Sequence, residues 1–168
     1  WTLAWLKAEP TSRAIIFDLP HVIPMAHERF VTSPSIARVE LHAGDFNTDD
    51  LPKGADLVWV SAIIHQNSPD QNRALYRRVA TALEHKGWIY IRDIIMESSR
   101  TEPVAGALFA VNMMSGTEGG KCYTLAEIKE DLQSAGFSDV ELVRRDEGMH
   151  SIVRARVRTL SATFEETR

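Results

Sequence analysis

The sequence predicts an α/β domain: a mostly parallel sheet with helices on both faces, closed by an antiparallel C-terminal strand. Three observations predict it. Short apolar runs of strand length alternate with amphipathic stretches of helical period, the connections between them are short and polar, and four successive strand-like runs end on a polar residue. With 168 residues there is room for about one domain.

Trp1, Leu3, Ala4, Trp5, Leu6 and Ala8 crowd an apolar face and Pro10 stops the run. Residues 1–8 therefore read as the tail of a helix whose start lies upstream of Trp1. Ala14 to Phe17 is a short buried strand ending at Asp18, and a helix from Pro20 or Pro24 to Phe30 follows. Arg38 to Ala43 alternates Val39, Leu41 and Ala43 against Glu40 and His42, a second strand that runs into Gly44-Asp45-Phe46. After a turn-rich loop at 47–55, Leu57 to Val60 makes a third, fully apolar strand.

Ser68, Pro69 and Gln71 supply a capping hydroxyl, a proline at the first helical position and a glutamine that reaches back. The helix they open is expected to run to about His85, with Gly87 as its stop. Its stripe of Leu75, Val79, Ala82 and Leu83 packs on the sheet and leaves Arg73, Arg77 and Arg78 toward water. Trp88 to Ile91 is a fourth strand that reaches Asp93. Thr124 and Glu127 form a second capping box, and Gly136 ends that helix. Val140 to Val143 and Ser151 to Val157 are expected to pair antiparallel around Glu147-Gly148. The domain then occupies 1–157 and residues 158–168 form a C-terminal tail.

Composition excludes several classes. Apolar residues make up 44% and charged residues 25%, enough for a core without low-complexity bias. A formal charge of −4 gives no overall field toward nucleic acid or anionic lipid. The longest apolar run, Leu57 to Ile64, is broken by Ser61 and falls far below the ~20 residues of a membrane span. A soluble, cytoplasmic protein is expected. The lone Cys122 makes no internal disulfide, and His21, His27, His42, His85 and His150 lack ligand spacing, so no metal is predicted.

Ligands of open parallel sheets bind beyond the carboxyl ends of the strands, and Asp18, Asp45, Ser61 with His65, and Asp93 stand at four such ends. A carboxylate after the second strand of a nucleotide-binding unit can accept from both ribose hydroxyls, and one after the next strand can accept from an adenine amino group. Phe46 can lie on the adenine ring. Taken together these residues point to an adenosine-containing ligand, with Asp18, Asp45 and His65 gathered at a common rim.

The stretches Phe17-Asp18-Leu19-Pro20, Gly44-Asp45-Phe46, Ala55-Asp56-Leu57 leading to Ile64-His65, Gly119-Gly120-Lys121 with Thr124, and Ala135-Gly136-Phe137 occur in that order. In them the chain resembles the class I S-adenosylmethionine-dependent O-methyltransferases of the caffeate, flavonoid and acetylserotonin type, bacterial relatives included. The resemblance implies a Rossmann-like sheet and S-adenosylmethionine as cofactor. It places Asp18 and Leu19 on the ribose, Gly44, Asp45 and Phe46 on adenine and Ser61 near the donor. It makes His65 the general base with Asp93 as its carboxylate partner. It further implies a small aromatic acceptor touched by Asn112 and Met113, and a homodimer formed through a helical N-terminal domain. That domain, the glycine-rich loop and the first strand would precede Trp1, and upstream residues are expected to fill the gap between the Asp18 and Leu57 strands.

The implied base makes chemical sense. A phenol of pKa ~10 is a poor nucleophile while neutral, whereas a neutral imidazole can take its proton as the oxygen attacks a sulfonium methyl. Two positions depart from the family pattern. Gln66-Asn67 stands where Asp-Trp usually follows the histidine, and Cys122 replaces a second acidic partner. A non-catalytic or repurposed cofactor-binding relative is therefore the alternative, and a dinucleotide-dependent oxidoreductase accounts less well for Gly44-Asp45-Phe46 and His65. Residues 103–117, with Phe109, Val111, Asn112, Met113 and Met114, serve equally as an acceptor wall or a plain core helix.

Overall fold

A computed structural model describes residues 1–158 and divides them into two units, Trp1–Ala55 and a second that begins at Asp56. In the first, α1 (Thr2–Ala8) buries Leu6 and leaves Trp1 and Trp5 67% and 50% exposed. A helix leaves carbonyls without donors at its C-terminal end, and here Arg38 reaches Leu6 O and Glu9 O, the latter also taken by Ser12 Oγ. Arg38 donates to Leu6 O at 2.8 Å, Ser12 O at 2.9 Å and Glu9 O at 3.3 Å.

β1 (Ala14–Asp18) and β2 (Val39–Ala43) pair in parallel, in register from Ala14↔Val39 to Asp18↔Ala43. Parallel strands need a crossover, supplied by α2 (Ile23–Val31) and a 3₁₀ turn at Ile36–Arg38. Of the two candidate prolines, Pro24 lies in the first turn of α2, where its missing N–H takes no helical bond away. The register sets the strand ends side by side, and Gly44 N–H donates to Asp18 O at 2.9 Å.

The second unit begins with β3 (Ala55–Ser61), a 3₁₀ turn at Ile64–Gln66, α3 (Pro69–Ala82) and β4 (Leu83–Asp93). β5 (Ile95–Met96), α4 (Val104–Gly116), β6 (Tyr123–Thr124) and α5 (Leu125–Ser134) follow, then β7 (Phe137–Arg144) and β8 (Ser151–Val157). The four-stranded sheet runs β3-β4-β8-β7, with β8 antiparallel to both β4 and β7, and β5 pairs with β6 in parallel. The sheets are thus mixed, with the expected antiparallel closure. The apolar core of this unit includes Leu75, Tyr76 and Val79 of α3, Ile128 and Leu132 of α5, and Ile89, Ile91, Phe137, Val153 and Ala155 of its strands. Both capping boxes form: Ser68 with Gln71 on α3 and Thr124 with Glu127 on α5. Each such cap contributes about 1 kcal/mol.

Three local expectations are corrected. α3 stops at Ala82 and not near His85, because Leu83 turns extended and is itself buried. Gly87 instead marks a tight passage within β4, where a Cβ would lie 2.9 Å from Glu84 O and the neighbouring Lys86 takes a φ of 67°. Arg73 does not simply face water: it donates to Asp131 of α5 at 2.9 Å and pairs with Asp70, because its row of α3 faces α5. β7 starts at Phe137, three residues before the expected Val140, since Gly136 at φ 95° turns the chain straight into the strand. A register shift between Ser138 and Glu141, with Asp139 at φ 53°, hides that start in the pattern.

Of the tail expected over 158–168, only Arg158 is described, its N–H donating to Gly136 O at 2.9 Å, and the rest lies outside the described residues. Among the described residues no helix is long and apolar enough to cross a membrane.

Candidate active site

β4 alternates core-facing and outward residues: Gly87, Ile89, Ile91 and Asp93 are buried, while Trp88, Tyr90 and Arg92 are less so. Asp93 therefore falls, by the period-two pleat, on the apolar side of its strand. A carboxylate only 1% exposed must be paired, and its partner is His65 in the 3₁₀ turn after β3, itself 7% exposed. His65 Nδ1 lies 2.9 Å from Asp93 Oδ1 and 3.0 Å from Oδ2, and Ile94 N–H also donates to Oδ1 at 2.8 Å. An ionised carboxylate only accepts, so the network assigns the proton to Nδ1 and leaves Nε2 as the acceptor. Phe109 of α4 meets the imidazole edge-on, 4.9 Å between ring centres.

The Gly119-Gly120 pair proves to be a packing requirement of this turn. A Cβ on Gly120 would lie 2.4 Å from His65 O and from Thr117 Oγ1, and one on Gly119 2.9 Å from Ser68 Cβ. Lys121 leads away to Glu127, which also takes Arg100 and the Thr124 N–H. Burial opposes ionisation of Glu127, yet these donors outweigh it and hold its carboxyl down at about 2. Its folded value lies below the unfolded one, so its contribution to stability is present above the ordinary glutamate range and is lost as pH falls toward about 2. A Glu127→Gln variant is expected to lose less of its thermal midpoint than the parent between about pH 4.5 and 2. An equally steep loss would contradict this.

The remaining expected site residues divide between the units. In the first, Asp18 Oδ1 accepts from Leu19 N–H and Asp45 Oδ1 from Asn47 N–H, both at 2.8 Å. The register brings Asp18 next to Gly44-Asp45-Phe46 at adjacent strand ends. Gly44 is glycine because a Cβ would lie 2.4 Å from the Phe17 ring. In the second unit, Ser61 accepts from Arg92 at 3.0 Å. Asn112 is exposed and Met113 half-buried on α4, one turn beyond Phe109. Cys122 packs with Ile94 and Met96, and burial, with Asp93 nearby, pushes its thiol up to about 11. It is a packing residue, as expected, and no nucleophile.

Sequence reasoning treated Asn67 only as a departure from the family pattern and passed over Asn72 and Tyr123, and all three are buried against the turn that carries His65. The available signal was Asn72, a polar residue four positions after the Ser68 cap and three before the apolar Leu75.

The features together define an α/β protein whose polar residues collect at strand ends, with a buried histidine–carboxylate pair at one of them. The family model described as an O-methyltransferase domain matches residues 3–138, and the chain belongs to that family. It is 36% identical over 138 residues to 3-hydroxy-5-methyl-1-naphthoate 3-O-methyltransferase of Streptomyces sahachiroi, which covers 82% of this chain and 40% of that relative. It is similar to the crystal structure of human N-acetylserotonin methyltransferase in complex with SAM (TM-score 0.81, 25% identity, 92% of this chain and 43% of that one). A third likeness is to the O-methyltransferase family 2 protein from Planctomyces limnophilus in complex with apigenin (TM-score 0.80, 29% identity, 94% and 47%). The chain spans less than half the length of each of these relatives.

Proposed function

We propose that the protein moves a methyl group from S-adenosylmethionine to a hydroxyl, phenolic in kind, of an aromatic or polyketide-like small molecule. His65 is the general base and Asp93 orients it. The observation that carries this reading is the buried pair itself, because the bond to Nδ1 leaves Nε2 ready to take a proton. The family membership supports the cofactor, and the naphthoate and apigenin in the relatives' names support an aromatic acceptor.

The donor set fits the cofactor. Among the described residues Asp18 and Asp45 each use one carboxylate oxygen locally, which leaves the other for ribose and adenine respectively, beside Leu19, Gly44 and Phe46. Ser61 takes its place near the methyl donor. When bound, S-adenosylmethionine supplies an electrophilic methyl and its own leaving group. His65 removes the hydroxyl proton as the oxygen–carbon bond forms and the sulfur–carbon bond breaks, and later passes that proton to solvent. Asp93 holds the ring and stabilises its charged form. Asn112 and Met113 contact the acceptor, and the reading includes a cytoplasmic homodimer.

The intact protein, given methyl-labelled S-adenosylmethionine and a panel of hydroxynaphthoates and flavones, is expected to place label in an aryl ether and release S-adenosylhomocysteine. An Asp45→Ala variant is expected to bind S-adenosylhomocysteine ~10-fold or more weakly, the scale of a lost charge-assisted hydrogen bond. A parent protein that binds no S-adenosylhomocysteine would refute the reading.

A further inference from the structure

Asn72, Asn67 and Tyr123 are 1%, 5% and 1% exposed, and their polar groups converge on the backbone on either side of His65. Asn72 Nδ2 donates to Ile64 O at 3.0 Å, and its Oδ1 accepts from Asn67 Nδ2 at 3.1 Å. Tyr123 O–H donates to Asn67 O at 2.6 Å. The bonds this cluster makes to backbone thus go to Ile64, at the start of the 3₁₀ turn, and to Asn67, just after it, and Gly120 closes its other side against His65 O. Asn72 comes from α3 and Tyr123 from β6, so two elements distant in sequence grip one three-residue turn.

We propose that Asn72 and Tyr123, acting through Asn67, are positioning residues that hold the His65 turn so that Nε2 meets the acceptor hydroxyl. This rests on the reading of His65 as the general base. The physical case is geometric. Asp93 fixes the ring only at Nδ1, so the aim of Nε2 also depends on where the backbone sets Cα of His65. A displacement of about 1 Å at a reacting group can lower a rate ~10²-fold. An apolar filling would bury the turn equally well, but it would not tie the Ile64 and Asn67 carbonyls to defined donors. Burial holds the Tyr123 phenol well above its ordinary value, so it stays a donor throughout the working pH range.

The experiment is a double-mutant cycle in the intact protein: parent, Asn72→Ala, His65→Ala and the pair, with kcat, KM for the acceptor and S-adenosylhomocysteine affinity measured for each. Asn72→Ala is expected to lower kcat ~10- to 100-fold with KM and cofactor affinity within about twofold, and to lower it no further in the His65→Ala background. Tyr123→Phe, which removes one oxygen and keeps the ring, is expected to lower kcat ~3- to 10-fold with the same dependence on His65. It decides the matter if Asn72→Ala does not fold. Equal losses with and without His65, or a folded Asn72→Ala with parental kcat, would overturn the brace and leave the base intact. Parental turnover in His65→Ala would instead overturn the base, and the brace with it.

Discussion

Replacing His65 with alanine in the intact protein is expected to lower methyl transfer by ~10²-fold or more while S-adenosylhomocysteine binds with near-normal affinity. The side chain is buried in its turn and bonded to Asp93, and the carboxylates assigned to the donor, Asp18 and Asp45, are separate residues. Its loss removes a proton acceptor and leaves the carboxylates assigned to the donor in place. The residual rate should also change character. With no base in the protein, the acceptor must ionise unaided, so turnover should climb ~10-fold per pH unit toward the phenol's own pKa of ~10. The parent rate should be far less steep over that range. A folded variant that turns over as the parent does would take His65 out of the mechanism.

Asp93→Asn is expected to be nearly as damaging, on the order of 10²- to 10⁴-fold in kcat, by a different route. The amide has the carboxylate's shape, and its oxygen can still accept the Ile94 N–H. Its NH₂ group can now donate to His65 Nδ1, which shifts the ring proton to Nε2 and turns the base into a donor aimed at the substrate. No buried charge is left unpaired, so the variant should stay folded and the kinetic loss should be clean. The diagnostic result is a folded protein of near-parental S-adenosylhomocysteine affinity and collapsed kcat. A loss of only a few fold would mean that Asp93 supports the turn without governing the proton.

Where local chemistry decides structure, the sequence was readable. The two capping boxes need only neighbours three residues apart, and Ser68, Gln71, Thr124 and Glu127 all bond as their spacing requires. The strand ends at Asp18 and Asp93 were legible for the same reason: an apolar run stops where a carboxylate appears. The end of α3 was not: Leu83 continues the helix's apolar stripe in the sequence, yet it turns extended and is buried at the start of β4. Arg73 was misjudged because its partner Asp131 lies on another helix, 58 residues away.

The sequence by itself determined the α/β class, the resemblance to the O-methyltransferases, and the identities of His65 and Asp93 as residues of interest. Those follow from residue types at short spacing, which hydrophobic period and turn chemistry translate directly into local structure. Only the tertiary structure decided that these two, 28 residues apart, meet as a buried hydrogen-bonded pair, that Gly120 lets its backbone pass close against His65 O, and that Asn72 and Tyr123 bond to the backbone of the turn and its exit. Hydrogen bonds between distant segments depend on how strands and helices pack, and no local pattern encodes the few ångströms on which they turn.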